Sequence, residues 1–285
     1  MIALWHRVPV IVRATLSGGL VAALGTLPWA LLVGANTKYW SAVPWAVPPT
    51  ALYLWLFWRW TRGAGWPRST SAARRALARA NPIPDEMWGM AFFAGLLGLV
   101  VVMLLQSVMS RLVALPQQQD IDPSRFPAWT VLLWVLMSSA VAGVVEEIGF
   151  RGYLQGPIER RHGPVIAILV TGILFGLLHF THREVTFVLL PFYLSVAVVY
   201  GALAYLTNSV LPGIVLHAGG DVFAALALFA GGHSEWQGLG AGPPKLVWET
   251  GTDPAFWTSV GATLFIGTAA VWVYVLLARL RSTPR

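Results

Sequence analysis

The chain alternates long apolar runs with short polar connections from end to end. A bilayer core takes about 20 consecutive apolar residues as a helix. By that measure the pattern predicts eight spans. They run from about Ala14 to Gly34, Tyr39 to Trp58, Trp88 to Met109 and Pro127 to Gly156. The later four run from Pro164 to Phe180, Phe187 to Leu206, Val210 to Ala230 and Ala255 to Leu277. Pro44, Pro48 and Pro49 bend or break the start of the second. The first run outlasts the 7–15 residues of a signal-peptide core, although Val33-Gly34-Ala35 resembles a cleavage site. The fold class read from this pattern is all-α, a polytopic integral membrane protein.

The connections set the orientation. Arg59 to Arg79 holds six arginines and no acid, which places it in the cytoplasm. Its Arg74–Arg79 part reads as a solvated topological anchor, with a short surface helix on anionic lipid as the alternative. Arg111–Arg125 and the Gly/Pro-rich stretch Gly231–Pro254 lack that bias and face outside, as does the Thr181–Thr186 turn. Pro157–Gly163 (with Arg160 and Arg161) forms a short inside turn, and Arg279, Arg281 and Arg285 close the chain inside. Both termini are then cytoplasmic.

Composition narrows the picture further. Of the residues, 56% are hydrophobic and 11% charged, against about 25% charged in soluble domains. No polar stretch is long enough to fold separately, so residues 1–285 read as one transmembrane domain. Without cysteine there is no disulfide, thiolate metal site or cysteine nucleophile. The net charge of +7 sits at helix ends and loops, which argues against nucleic acid. The fifteen tryptophans read as interfacial anchors. The Ala-, Arg- and Trp-rich composition points to a bacterial inner membrane.

Few ionisable residues fall within spans: Glu146, Glu147 and Arg151 in the fourth, His179 in the fifth, His217 and Asp221 in the seventh. A charge at a helix centre costs roughly 2.5–3.5 kcal/mol even on lenient scales, so each needs a partner or a task. Glu147 and Arg151, four apart, share a helical face and neutralise each other; Glu146 lies about 100° away without a partner on its own helix. At about 1.5 Å per residue, Glu146, His179 and His217 lie roughly 15, 22 and 10 Å from the cytoplasmic ends. A polar cavity between helices 4, 5 and 7 is expected. Gly172, Gly176, Gly219 and Gly220 would let the histidine-bearing helices approach, or leave room for a substrate backbone.

The blander readings are a structural Glu147–Arg151 pair, histidines that only hydrogen-bond between helices, and Asp221 orienting His217. Taken together, two adjacent acids, two histidines and a third acid support chemistry. A carboxylate in a low-dielectric cavity suits a general base, so Glu146 beside a histidine could deprotonate water. His217 with Asp221 could stabilise the resulting oxyanion. Alternatively Glu146, His179, His217 and Asp221 could hold Zn²⁺ with an open position for water. The same residues serve both mechanisms.

Glu146-Glu147-x-x-x-Arg151, Phe175-x-x-x-His179 and His217-x-x-x-Asp221 resemble the three motifs of the CPBP family. This family comprises membrane-embedded CAAX prenyl proteases and bacteriocin-processing or immunity proteins, and is also called Abi. The resemblance spans about residues 126–230, leaving helices 1–110 and the last helix, 255–278, as accessory. It implies a helical fold of about eight spans and an intramembrane endopeptidase acting on a membrane-associated or lipidated, CAAX-like protein. In its terms Glu146 activates water with His179 assisting, and His217 with Asp221 forms the oxyanion site or, in the metalloprotease version, supplies metal ligands. Glu147, Arg151 and Phe175 are supporting residues. Eukaryotic members usually carry asparagine where this chain has Asp221, and an ionised aspartate is a poor oxyanion donor, which favours the metal version slightly. Two other readings are a non-catalytic immunity or scaffold protein binding a partner through the same cavity, and a proton-coupled transporter. No internal repeat supports the transporter.

Overall fold

The structure is a computed structural model and describes residues 5, 7–114, 125–179, 183–231 and 245–282. Helix is the only regular structure among them. In chain order the elements are α1 (Val10–Lys38), α2 (Val47–Thr61), α3 (Ser71–Ala78), α4 (Asp85–Leu112) and α5 (Ala128–Glu146). A π-helical segment (Glu147–Gln155) follows, then α6 (Gly156–His162), α7 (Pro164–Leu178), α8 (Arg183–Thr207), α9 (Leu211–Gly231), α10 (Val247–Thr250) and α11 (Pro254–Ser282).

Among the described residues, five helical stretches are long and apolar enough to cross a membrane: Val10–Lys38, Asp85–Leu112, Ala128–His162, Phe187–Thr207 and Pro254–Arg281. The chain is an integral membrane protein. Of the other three expected spans, the fifth and seventh appear as the shorter apolar helices Pro164–Leu178 and Leu211–Ala227, and the second as the short helix α2. α2 and α7 have 15 residues each, about 22 Å of rise against a hydrocarbon core of about 30 Å. The outward faces are apolar. Leu16, Leu20, Leu24, Leu27 and Leu31 of α1 are all more than half exposed, as a lipid-facing stripe requires.

Local sequence explains several boundaries. α2 starts at Val47 rather than near Tyr39, because Pro48 and Pro49 occupy its first turn, where a missing N–H costs nothing. Asn36, fully buried, ties the preceding loop down. Its Nδ2 donates to the Val43 carbonyl (2.9 Å), and its Oδ1 accepts from Ala46 N–H and Trp134 Nε1–H (3.1 Å each). The Pro157–Gly163 stretch is helix, not a turn: the fourth expected span continues unbroken to His162. The chain reverses only at Gly163, whose φ of +82° is open to glycine and strained for other residues. Residues 115–124, 181–182 and 232–244 of the expected connections lie outside the described residues, but the expected Thr181–Thr186 turn is already helix from Arg183, and the expected Gly231–Pro254 loop contains α10.

α1 packs along the π segment. A Cβ on Gly18 would stand 2.7 Å from the Gly149 carbonyl oxygen, so only glycine permits this approach. α9 crosses α5 equally closely at Gly143, where a Cβ would meet the Ile214 carbonyl oxygen at 2.9 Å. Gly172 and Gly176 do mediate a close approach, but toward Ala197, Leu194 and Tyr193 of α8 rather than toward the other histidine-bearing helix.

Arg74 and Arg79 are not solvated anchors: they are 4% and 5% exposed. Arg79 makes a bidentate pair with Glu159 (2.9 Å for each bond) and donates to Asn208 Oδ1 (3.2 Å). The Gln155 side chain in turn donates to the Gly201 carbonyl (2.9 Å) and to Glu159 (3.2 Å). This network joins the end of the π segment to α3, α6 and α8.

Candidate active site

The nine residues Glu147–Gln155 are all buried, and their π geometry begins one residue after Glu146. π turns often sit at functional sites. Here the wider turn keeps Glu147 and Arg151 together: Arg151 Nη1 lies 3.0 Å from Glu147 Oε1, and both side chains are fully buried. The contact is charge to charge without hydrogen-bond alignment, and Arg151 Nε and Nη2 have no acceptor among the described residues. Aromatic rings cover the cation instead, with Phe175 at 5.0 Å and Tyr200 at 5.2 Å from the guanidinium carbon.

Glu147 also reaches across to α9. The His217 Nδ1–H donates to Glu147 Oε1 at 3.0 Å, which orients the ring and keeps a proton on Nδ1. Tyr200 of α8 stacks on the imidazole, with centroids 5.1 Å apart and planes 12° apart. His217 thereby points Nε2 toward two more carboxylates, Glu146 Oε2 and Asp221 Oδ2, each at 3.8 Å. Those two differ in access. The Glu146 side chain is 19% exposed and that of Asp221 42% exposed. Gly213 makes the crossing possible, since a Cβ there would lie 2.6 Å from Glu147 Oε2. An added Cβ at Gly219, on the face of α9 away from His217 and Asp221, would meet nothing within 4 Å, and one at Gly220 only loose contacts.

His179 caps the C-terminus of α7, where its Nδ1–H donates to the Phe175 carbonyl at 2.8 Å. Its ring packs on Phe175 (4.5 Å) and Tyr193 (5.0 Å) and is otherwise exposed. No hydrogen bond or ion pair joins it to Glu146. Phe175 is the hinge of an aromatic cluster with Phe150, Tyr193, His179 and the Arg151 cation.

Glu146, Glu147, Arg151, His217 and Asp221 thus form one constellation, with Phe175 beneath Arg151 and His179 beside the aromatic cluster. The sequence pattern singled out ionisable residues only and passed over Tyr193 and Tyr200, which come from α8. Three tyrosines, Tyr193, Tyr200 and Tyr205, in a largely apolar span were the available signal. Among the described residues, no three histidine, aspartate or glutamate side chains are arranged to hold a metal ion. Glu146 and Asp221 both face His217 Nε2, and the Nδ1 atoms of His217 and His179 are committed to Glu147 and to the Phe175 carbonyl, which is also how imidazoles that ligate metals are held.

No curated protein and no solved structure gives a significant match to the chain. Residues 127–223, about a third of the sequence, match the family model described as type II CAAX prenyl endopeptidase Rce1-like. The matched segment contains Glu146, Glu147, Arg151, Phe175, His179, His217 and Asp221. Over residues 127–223 this membrane chain is therefore similar to the Rce1-like CAAX prenyl endopeptidase family, the same group that its three motifs resemble.

Proposed function

We propose that the chain is an intramembrane endopeptidase that hydrolyses a peptide bond in a membrane-associated or lipidated protein, using water activated by Glu146. The Rce1-like match supports a CAAX-type protease in general. The observation that carries the finer reading is the pairing of Glu146 Oε2 with His217 Nε2 at 3.8 Å, with the other edge of the imidazole locked on Glu147. That gap is longer than a direct hydrogen bond and within ion-pair range.

In this mechanism Glu146 takes a proton from water as the oxygen attacks the scissile carbonyl carbon. His217, held by Glu147 and flanked by carboxylates, acts as an imidazolium with a proton on each ring nitrogen and donates Nε2–H to the oxyanion that forms. Glu146 then delivers its proton to the amide nitrogen, the C–N bond breaks, and a carboxylate and an amine leave. Glu146 is assigned the base in preference to Asp221 because it is the more secluded of two carboxylates equally distant from Nε2. Asp221 holds the outer side of the imidazole, and His179 lines the approach. Arg151 pairs with Glu147 and holds it in place. In the metal version of the same reaction, Glu146, His179, His217 and Asp221 would hold Zn²⁺, which would supply the activated water.

The test is to incubate purified protein in detergent with prenylated, acylated and unmodified peptides and to identify fragments by mass spectrometry. Cleavage within the lipidated peptides is the expected result. Saturable binding of those peptides with no fragment formed would favour the non-catalytic partner reading instead.

A further inference from the structure

Six arginines and no carboxylate lie between Arg59 and Arg79, and the fold divides them. Arg79 is committed to Glu159. Arg74 builds the connecting loop: it donates to the carbonyls of Ala64 (3.1 Å), Gly65 (3.3 Å) and Trp66 (3.4 Å) and stacks on Trp60 at 4.5 Å. Arg59, Arg62 and Arg75 remain exposed, and none of them meets a carboxylate among the described residues. All three line a cavity of about 420 Å³ together with Trp58, Asn81 and Pro82. That volume falls within the range of about 300–1,000 Å³ typical of small-ligand sites.

Three guanidinium groups around one space repel one another unless an anion joins them. The C-terminal end of α2 contributes only about half a negative charge, too little to balance three cations. The surroundings fix the height of the cavity relative to lipid. Leu52, Trp55 and Leu56 on α2 are about half exposed, and Trp66 is 85% exposed on the adjoining loop. Apolar residues giving way to tryptophan and then arginine is the sequence of a membrane boundary. A topological anchor needs charge only. It does not need a loop braced by Arg74 or three cations converging on one cavity.

We propose that this cavity binds the phosphate group of an anionic lipid headgroup, with Arg59, Arg62 and Arg75 as the donors. Planar guanidinium forks suit phosphate oxygens, and Arg59 and Arg62 are preordered over the rings of Trp55 (4.8 Å) and Trp58 (5.1 Å). The site does not depend on the proposed protease chemistry.

The test uses full-length protein stripped of lipid in a neutral detergent. It is titrated with phosphatidylglycerol in mixed micelles, with phosphatidylcholine, and with inorganic phosphate at matched ionic strength, following thermal unfolding by tryptophan fluorescence. Three proteins are compared: wild type, the triple variant R59Q/R62Q/R75Q, and a charge-matched control R68Q/R160Q/R161Q. Phosphatidylglycerol should raise the midpoint of wild type and control. The triple variant should need roughly tenfold more lipid or worse, since one charge-assisted hydrogen bond is worth about that factor. The single variant Arg75→Gln, at an exposed position, should weaken binding in the same direction even if the triple variant folds poorly. An equal response from wild type, triple variant and control would overturn the site. Inorganic phosphate reproducing the full effect would overturn its assignment to lipid.

Discussion

Glu147 is the residue on which the site turns. The motif spacing assigns it to Arg151, and the pair is present with both side chains fully buried. The same Oε1 also accepts from His217 Nδ1, so the supporting glutamate orients the ring that faces Glu146 and Asp221. Removing one partner of a buried ion pair costs about 3–5 kcal/mol, because the other charge stays desolvated. Glu147→Gln and Arg151→Ala should each lower the thermal unfolding midpoint in detergent substantially, and a midpoint equal to wild type in both would refute the buried-pair account. The link between Glu147 and His217 was not legible from the sequence. An i, i+4 rule sees contacts within one helix, while this contact spans 70 positions and depends on which faces of α5 and α9 meet. Tyr200 was missed for the same reason: its importance comes from stacking on His217, not from its own chemistry.

Among the elements, the π segment and α9 determine whether these side chains can meet. The apolar periodicity located both helices, because burial in lipid and burial in protein demand the same residue types. It could not distinguish π from α winding, nor show that helix continues past Pro157. It also missed that Gly172 and Gly176 open onto α8. Two substitutions on α9 separate close packing from open space. Gly213→Ala drives a methyl into Glu147 Oε2, which cannot retreat while Arg151 and His217 hold it, and overpacking of this kind costs about 1–3 kcal/mol. Gly219→Ala meets nothing within 4 Å and should gain about 0.5–1 kcal/mol from helix propensity. Denaturant titration of the two variants in the same detergent checks the contrast; equal effects would mean that α9 does not cross α5 as described.

On the scale of the whole molecule, the fold spends its charge at the ends of helices, where water or a partner is available. On the face opposite the arginine-rich loop, Arg111 at the end of α4 donates to Asp253 Oδ2 (2.9 Å) and to the Lys245 carbonyl (2.7 Å). Asp253 in turn accepts from the Phe256 N–H (2.8 Å) at the start of α11. The Arg111 hydrogen bond, and then that N–H, hold the Asp253 carboxyl below the usual range. A carboxyl lowered on folding contributes its full stability above its unfolded pKa of about 3.9 and loses it as pH falls through the folded value. Wild type should therefore lose part of its unfolding midpoint below about pH 4, and Asp253→Asn should lose less over the same interval. Identical acid profiles would show that the clamp contributes nothing.

The central claim is that Glu146 is the base of a hydrolytic site. The most direct measurement is the single-turnover cleavage rate of one lipidated peptide by wild type and Glu146→Gln in the same detergent, with unfolding midpoints recorded in parallel. Glutamine keeps the shape of the side chain but cannot accept the proton. The account predicts a rate lower by about 10²- to 10⁴-fold, with the midpoint little changed because Glu146 is partly exposed and unpaired on its own helix. Cleavage at the wild-type rate by a folded Glu146→Gln protein would contradict it.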